Sequence, residues 1–299
     1  RIYWCVVSLM VLSTLQRTEL IINADDFGAS DEVNEAIITA HREGILTSCS
    51  MMVTGDAFQQ AVRLAKQNKG LAVGIHLVTV KGRSVLPPSQ IPLLVDANGN
   101  FEDNPTIAGL KYFLQKNARR QLKQELAAQF ARFVETGLRI SHIDSHLHMH
   151  VHPVIFQAAL ELGRQYEVFR MRLPLDDFRL ICRLYGHLSP SKAITASIFY
   201  LLCSRMKKRL NKEAFIFPVR VYGHLCSGEM TEEIVLSILD HLQSGINEIY
   251  FHPAIFAAGE VLDCEQLQCR KEFDILMSKK VRAKLAKLGC NPTSYSRLL

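Results

Sequence analysis

A chain of 299 residues, 48% hydrophobic and 21% charged, has the composition of an ordinary globular protein and excludes disordered and fibrous architectures. Much of its formal charge of +6 gathers in two clusters, Arg205 to Lys212 and Lys279 to Lys287. Neither interleaves aromatic residues with its cations, so a nucleic-acid partner is not expected. The eight cysteines are scattered with no Cys-x-x-Cys pair, which excludes a disulfide framework and a zinc knuckle and predicts a reducing, cytoplasmic setting.

Ile2 to Leu12 is almost wholly apolar but too short to cross a bilayer, which takes about 20 residues. No small-x-small cleavage signal precedes the folded part. Residues 1–17 therefore read as an N-terminal extension and 18–299 as a single domain. Leu20 to Ala24 predicts a buried strand that runs into Asp25-Asp26-Phe27-Gly28. Ser30 or Asp31 would cap a helix carrying Val33, Ala36, Ile37 and Ala40, stopped by Gly44. Thr47–Thr54 and Leu71–Leu77 predict two further strands around a helix over 56–67. The proline-rich stretch Lys81–Pro105 reads as a long loop over one end of the sheet. An amphipathic helix over 118–137 then leads to a strand at Ile140–Asp144, a helix over 153–166 and a strand at Val168–Leu173. Residues 175–215 interrupt the alternation as a helical insertion. Phe217–Tyr222 and Glu248–His252 complete a set of about seven strands, with helices over 231–243, 265–276 and 279–288. The pattern predicts an α/β fold, a (β/α) barrel-like parallel sheet.

Catalytic groups of parallel α/β folds gather at the C-terminal ends of strands. Four such ends carry candidates: Asp25-Asp26, His76, the run from His142 to His150, and His252. In the run, His142, Asp144, His146, His148 and His150 alternate with Ile143, Leu147 and Met149. On a strand they would share one face, as metal ligands do. Asp26 and His76 are natural further donors. Two histidines and a carboxylate suit a hydrolytic metal centre, and equally a non-haem iron triad. Asp25 is left to act as a base, provided the backbone curls after Ala24, because strand neighbours otherwise point to opposite faces. His252, followed by Pro253, is placed to protonate a leaving group. Neither Cys49 nor Cys226 has an evident base partner, and no Gly-x-Gly-x-x-Gly or P-loop occurs.

Asn23-Ala24-Asp25-Asp26-Phe27-Gly28, Gly74-Ile75-His76-Leu77, His142-Ile143-Asp144-Ser145-His146-Leu147-His148 and His252-Pro253 together resemble the YdjC-like carbohydrate deacetylases, over about Leu20 to Tyr295. Val221-Tyr222-Gly223, Ser227 to Thr231 and Glu248 to Ala254 are similar to the subgroup associated with hopanoid biosynthesis. The resemblance implies a barrel-like fold, a divalent metal ion such as magnesium or zinc, and hydrolysis of an N-acetyl group from an N-acetylglucosamine-type sugar. It matches Asp26, His76 and His146 to metal ligands and Asp25 to the base, with Asp144 and His148 supporting them. The subgroup implies a glycosylated hopanoid lipid as substrate. The apolar and then basic segment 191–212 fits a peripheral membrane contact. A chitooligosaccharide deacetylase and a catalytically silent sugar- or lipid-binding protein are the competing expectations.

Overall fold

The structure, a computed structural model, describes residues 18–185 and 190–298. The N-terminal extension falls outside the described residues. Six parallel strands form one curled sheet in the order β4-β3-β2-β1-β6-β5. They are β1 (Thr18–Phe27), β2 (Ser48–Met51), β3 (Ala72–Leu77), β4 (Ile143–Ser145), β5 (Arg220–Tyr222) and β6 (Gly245–Phe251). β1 sits at the centre, flanked by β2 and β6. Its alternate residues face two different environments. Leu20, Ile22 and Ala24 pack into the main hydrophobic core beneath the helices, whereas Ile21 joins Tyr295 and Leu298 in a separate cluster.

The helices cover the outer face. The first pair is α1 (Asp31–Glu43), capped by Ser30 as its sequence predicts, and α2 (Phe58–Gln67). α3 (Pro105–Leu114) is followed by α4 (Lys116–Val134), which buries Leu122, Leu126, Phe130 and Phe133. α5 (Pro153–Gln165), α6 (Phe178–Tyr185), α7 (Pro190–Lys212), α8 (Glu232–Leu239), α9 (Cys264–Leu276) and α10 (Lys279–Lys287) follow in order. α6 and α7 occupy the stretch 175–215 that reads as helical from the sequence. No disulfide joins the described cysteines.

The structure departs from the sequence reading in three places. The first is Val168–Leu173, which makes isolated bridges instead of a seventh strand, pairing Met171 with Ile143 and Arg170 with Ile216. It is confined between a left-handed turn at Glu167 and Pro174, which offers no backbone N–H. The second is α3, in a stretch whose end reads as loop. Asn104 caps it by accepting from Thr106 and Ile107, and Pro105 sits at its first position, where a missing N–H costs nothing. The third is the histidine run. β4 ends at Ser145, and His146–Val151 forms a 3₁₀ turn in which Leu147 and His148 adopt positive φ. The histidines therefore fan out instead of lining one face.

Candidate active site

The C-terminal ends of β1, β3, β4 and β6 converge on one cleft of about 560 Å³. At the end of β1 the backbone does curl. Asp26 has φ +64°, and the β1–β2 register slips between Ala24 and Phe27. The bulge turns adjacent carboxylates toward one site. Gly28 stabilises the turn that follows: its φ is +100°, its N–H donates to Asn34 Oδ1, and a Cβ there would lie 2.9 Å from the carbonyl of Met52.

Asp26 Oδ1 lies 3.3 Å from His76 Nε2 and 3.1 Å from His146 Nδ1. The three donor atoms fall within 4.8 Å of one another. His76 is oriented from behind. Its Nδ1 donates to Asp144 Oδ1 at 2.8 Å, which leaves Nε2 aimed at Asp26. This is the carboxylate–histidine pairing that typically fixes a metal-binding imidazole. Ser50 Oγ and Arg172 Nη1 in turn hold Asp144 Oδ2, at 2.6 and 3.0 Å. Burial disfavours charge on Asp26, but His146 and His76 overcome it and hold its carboxyl well below the usual range. Burial likewise opposes charge on His76, yet Asp144 and then Asp26 raise it to about 10. Two imidazoles and a carboxylate at this separation fit a divalent ion as the donor set of hydrolytic centres does. Asp25, His76 and Asp144 form a second compact set, but Arg172 already supplies the cation that both of those carboxylates bind.

Asp25 is the other carboxylate of the pair. It is 2% exposed and is gripped in bidentate fashion by Arg172, with both contacts at 2.8 Å. Asn23 Nδ2 adds a third hydrogen bond at 2.9 Å. Arg172 is wholly buried, also binds Glu248, and lies over the Tyr250 ring at 4.7 Å. Three carboxylates thus share one guanidinium. Sequence reasoning missed Arg172, Asn23, Ser50, Glu248 and Tyr250. The signal for Arg172 was present: in Phe169-Arg170-Met171-Arg172-Leu173 the arginines alternate with apolar residues, which puts both on one face.

The remaining histidines take separate positions. His142 is stacked on Tyr295, with ring centroids 3.8 Å apart, and donates to Ser50 Oγ from Nε2 at 3.1 Å. A Cβ on Gly74 would come within 2.3 Å of the His142 ring, so the glycine before His76 makes room for that imidazole. His150 bridges Ser145 Oγ and the Arg172 carbonyl, and burial lowers it to about 4. His148 lies 2.9 Å from the Tyr250 hydroxyl. Burial, reinforced by His224 and Arg172, holds it well below the usual imidazole range and therefore neutral. Of the four histidines in the run, only His146 joins the donor cluster.

His252 follows β6 and is 35% exposed at the mouth of the same cleft. Its backbone N–H donates to Glu272 Oε2 at 2.6 Å, and its Nδ1 lies 3.8 Å from that oxygen. Burial again opposes charge, but Glu272 foremost, then Asp26 and Asp25, raise it to about 9. The walls above this polar floor come from α3, through Pro105, Thr106 and Gly109, and from α7, through Thr195, Ile198, Phe199 and Leu202. A larger cleft of about 860 Å³ lies between α6, α7 and Leu242, and none of the candidate ligands or acid–base groups lines it.

A family model for YdjC-like proteins matches residues 19–287, the range that holds all of these side chains except Tyr295. The chain belongs to the YdjC-like protein family. A carbohydrate deacetylase of Geobacillus stearothermophilus is 31% identical over 278 residues, which cover 92% of this chain and 96% of that protein. A carbohydrate deacetylase of Brevibacillus brevis is 43% identical over 150 residues, half of this chain and 57% of the relative. Among solved structures, a candidate cellobiose-phosphate cleavage protein from Enterococcus faecalis V583 superposes with a TM-score of 0.72 at 25% identity, covering 93% of this chain and 98% of that one.

Proposed function

We propose that this family member is a metal-dependent carbohydrate N-deacetylase that removes acetate from an N-acetylglucosamine-type sugar. The observation that carries the reading is the convergence of Asp26, His76 and His146 within 4.8 Å, at a cleft that Asp25 and His252 also line. A divalent ion held by Asp26, His76 and His146 would polarise the acetamide carbonyl and acidify a bound water. Asp25, held by Arg172 and Asn23, keeps a free lone pair to take the proton from the attacking water. His252, kept charged by Glu272, delivers a proton to the amine nitrogen as the C–N bond breaks. Water supplies the new C–O bond, and acetate and the free amine are the products. Neutral His148 and the Tyr250 hydroxyl offer hydrogen bonds to the sugar on the cleft floor.

The finer reading is a glycosylated hopanoid as substrate, handled by a cytoplasmic enzyme at the membrane periphery through 191–212. The apolar wall formed by Ile198, Phe199 and Leu202 supports it, since it offers the hydrocarbon part of a glycolipid a surface beside the polar floor. No helix among the described residues is long and apolar enough to cross a membrane. Acetate release from N-acetylglucosaminyl bacteriohopanetetrol and from N,N′-diacetylchitobiose, with and without a chelator, tests both levels. Chelator-sensitive release from the hopanoid alone supports the full reading. Release from chitobiose alone keeps the chemistry and selects the chitooligosaccharide enzyme. Metal binding with no release from either selects the silent binding protein.

A further inference from the structure

Two helices wall the cleft, α3 and α7, and both pack against the His146–Val151 turn that supplies a candidate ligand. Both expose large apolar side chains next to the opening. On α3, Ile107, Leu110, Phe113 and Leu114 are each more than half exposed, and so are Ile194, Ile198, Tyr200 and Leu201 on α7. Isolated apolar residues on a surface are ordinary, but eight on two elements flanking one cleft are not.

Charge separates these elements from the rest of the chain. Residues 104–124 carry five Lys or Arg and no acid, and residues 178–212 carry eight and no acid. Thirteen of the 35 cations therefore lie in these two stretches, against none of the 29 acids. The remainder of the molecule holds 22 cations and is net negative although the whole chain is +6. Lys116, Arg119 and Arg120 after α3, and Arg205, Lys207 and Lys208 on α7, are exposed. Apolar side chains beside a run of cations that no acid offsets suit an interface of hydrocarbon and negative headgroups.

We infer that α3 and α7 form the two lips of a docking surface for an anionic lipid bilayer, which brings the mouth of the cleft down onto the membrane. The substrate class that follows is an amphiphile whose polar head enters between the lips while its apolar part stays in the bilayer. The α7 lip rests on the membrane contact proposed for 191–212 and the amphiphile on the deacetylase reading of the cleft; the α3 lip rests on neither.

Co-sedimentation of the full chain with phosphatidylcholine vesicles, with and without phosphatidylglycerol, tests the inference. The protein should bind the anionic vesicles, lose binding as salt rises, and bind neutral vesicles about tenfold less well. Leu110→Gln with Leu114→Gln, and separately Ile194→Gln with Leu201→Gln, should each lower binding by about tenfold or more. Lys207→Gln with Lys208→Gln should cost about fivefold per lysine. None of these side chains lines the cleft, so bound divalent metal and the unfolding midpoint should stay at wild-type level. Three results would overturn the docking surface: no binding to anionic vesicles at low salt, binding indifferent to the α3 and α7 substitutions, or a dimer that those substitutions convert to monomer. Vesicle binding without turnover of any acetylated sugar would instead remove the deacetylase reading and leave the surface standing.

Discussion

The two faces of β1 are one residue apart along the chain and chemically opposite. Outward, Leu20, Ile22 and Ala24 meet the helices in a core of aliphatic and aromatic side chains. Inward, Asn23 and Asp25 enter a buried network with Ser50, Asp144, Arg172 and Glu248. The outer face is held by non-directional burial and tolerates substitutions that conserve volume. The inner face depends on each charge having its partner, because a buried ion pair that loses one member strands the other. The sheet thus separates what holds the fold from what the site requires, and the two should fail in different ways.

The largest effect is expected at Arg172→Met. It strands Asp25, Asp144 and Glu248 together and should cost about 3–5 kcal/mol or more in urea unfolding, together with turnover. Asp25→Asn should fall mainly on the rate. Turnover should drop by about 10²–10⁴ with bound metal retained, at a smaller stability cost than Arg172→Met because Arg172 keeps Asp144 and Glu248, and wild-type turnover in that variant would remove Asp25 as the base. Leu126→Ala on the outer side should cost about 2–5 kcal/mol of stability and leave the rate per folded molecule unchanged. The smallest effect is on pH dependence. His252 must be protonated to act as an acid, so turnover should fall as pH rises through about 9. Glu272→Gln removes the main group that raises it, and the alkaline limb should move toward the ordinary imidazole value near 6.5. Sign follows for stability too. A raised imidazole pKa stabilises fully below about 6.5, and the contribution is lost as pH climbs through about 9. A limb that does not move in Glu272→Gln would detach His252 from proton delivery.

How much of this is legible in the chain depends on which face a residue serves. The outer face is legible because apolar runs and helical periodicity are local, and Ser30, Gly44 and the Leu122, Leu126, Phe130, Phe133 stripe all stand where the pattern puts them. The need for a curl after Ala24 is also legible, since two adjacent carboxylates cannot otherwise share a site. The inner face is legible only in part. Asp26, His76 and His146 come from strand ends far apart in sequence and meet as their motifs suggest. The alternation from His142 to His150 misleads, because period two implies a shared face only while the strand lasts, and it stops at Ser145. Arg172 shows the opposite failure. Alternation with apolar residues puts it on one face with Arg170, and only the three carboxylates it meets from other strands explain why it is buried there. α3 was hidden by its first residue, since a proline closing a proline-rich loop and a proline opening a helix look alike without the cap at Asn104.

Tyr295 closes the inner network from below. It stacks on His142, its hydroxyl donates to Glu248, and Thr293 bridges Ile21 at the start of the central strand. The segment that completes the polar interior therefore leaves the ribosome after every other element described here. Until residues 293–298 arrive, His142 and Glu248 lack the side chain that stacks on the one and donates to the other. The β1–β2–β3 side of the outer core, whose elements are neighbours in sequence, can form as it is made. The inner network cannot be complete before residues 293–298 have emerged, and the order of synthesis separates the start of the fold from the completion of the site.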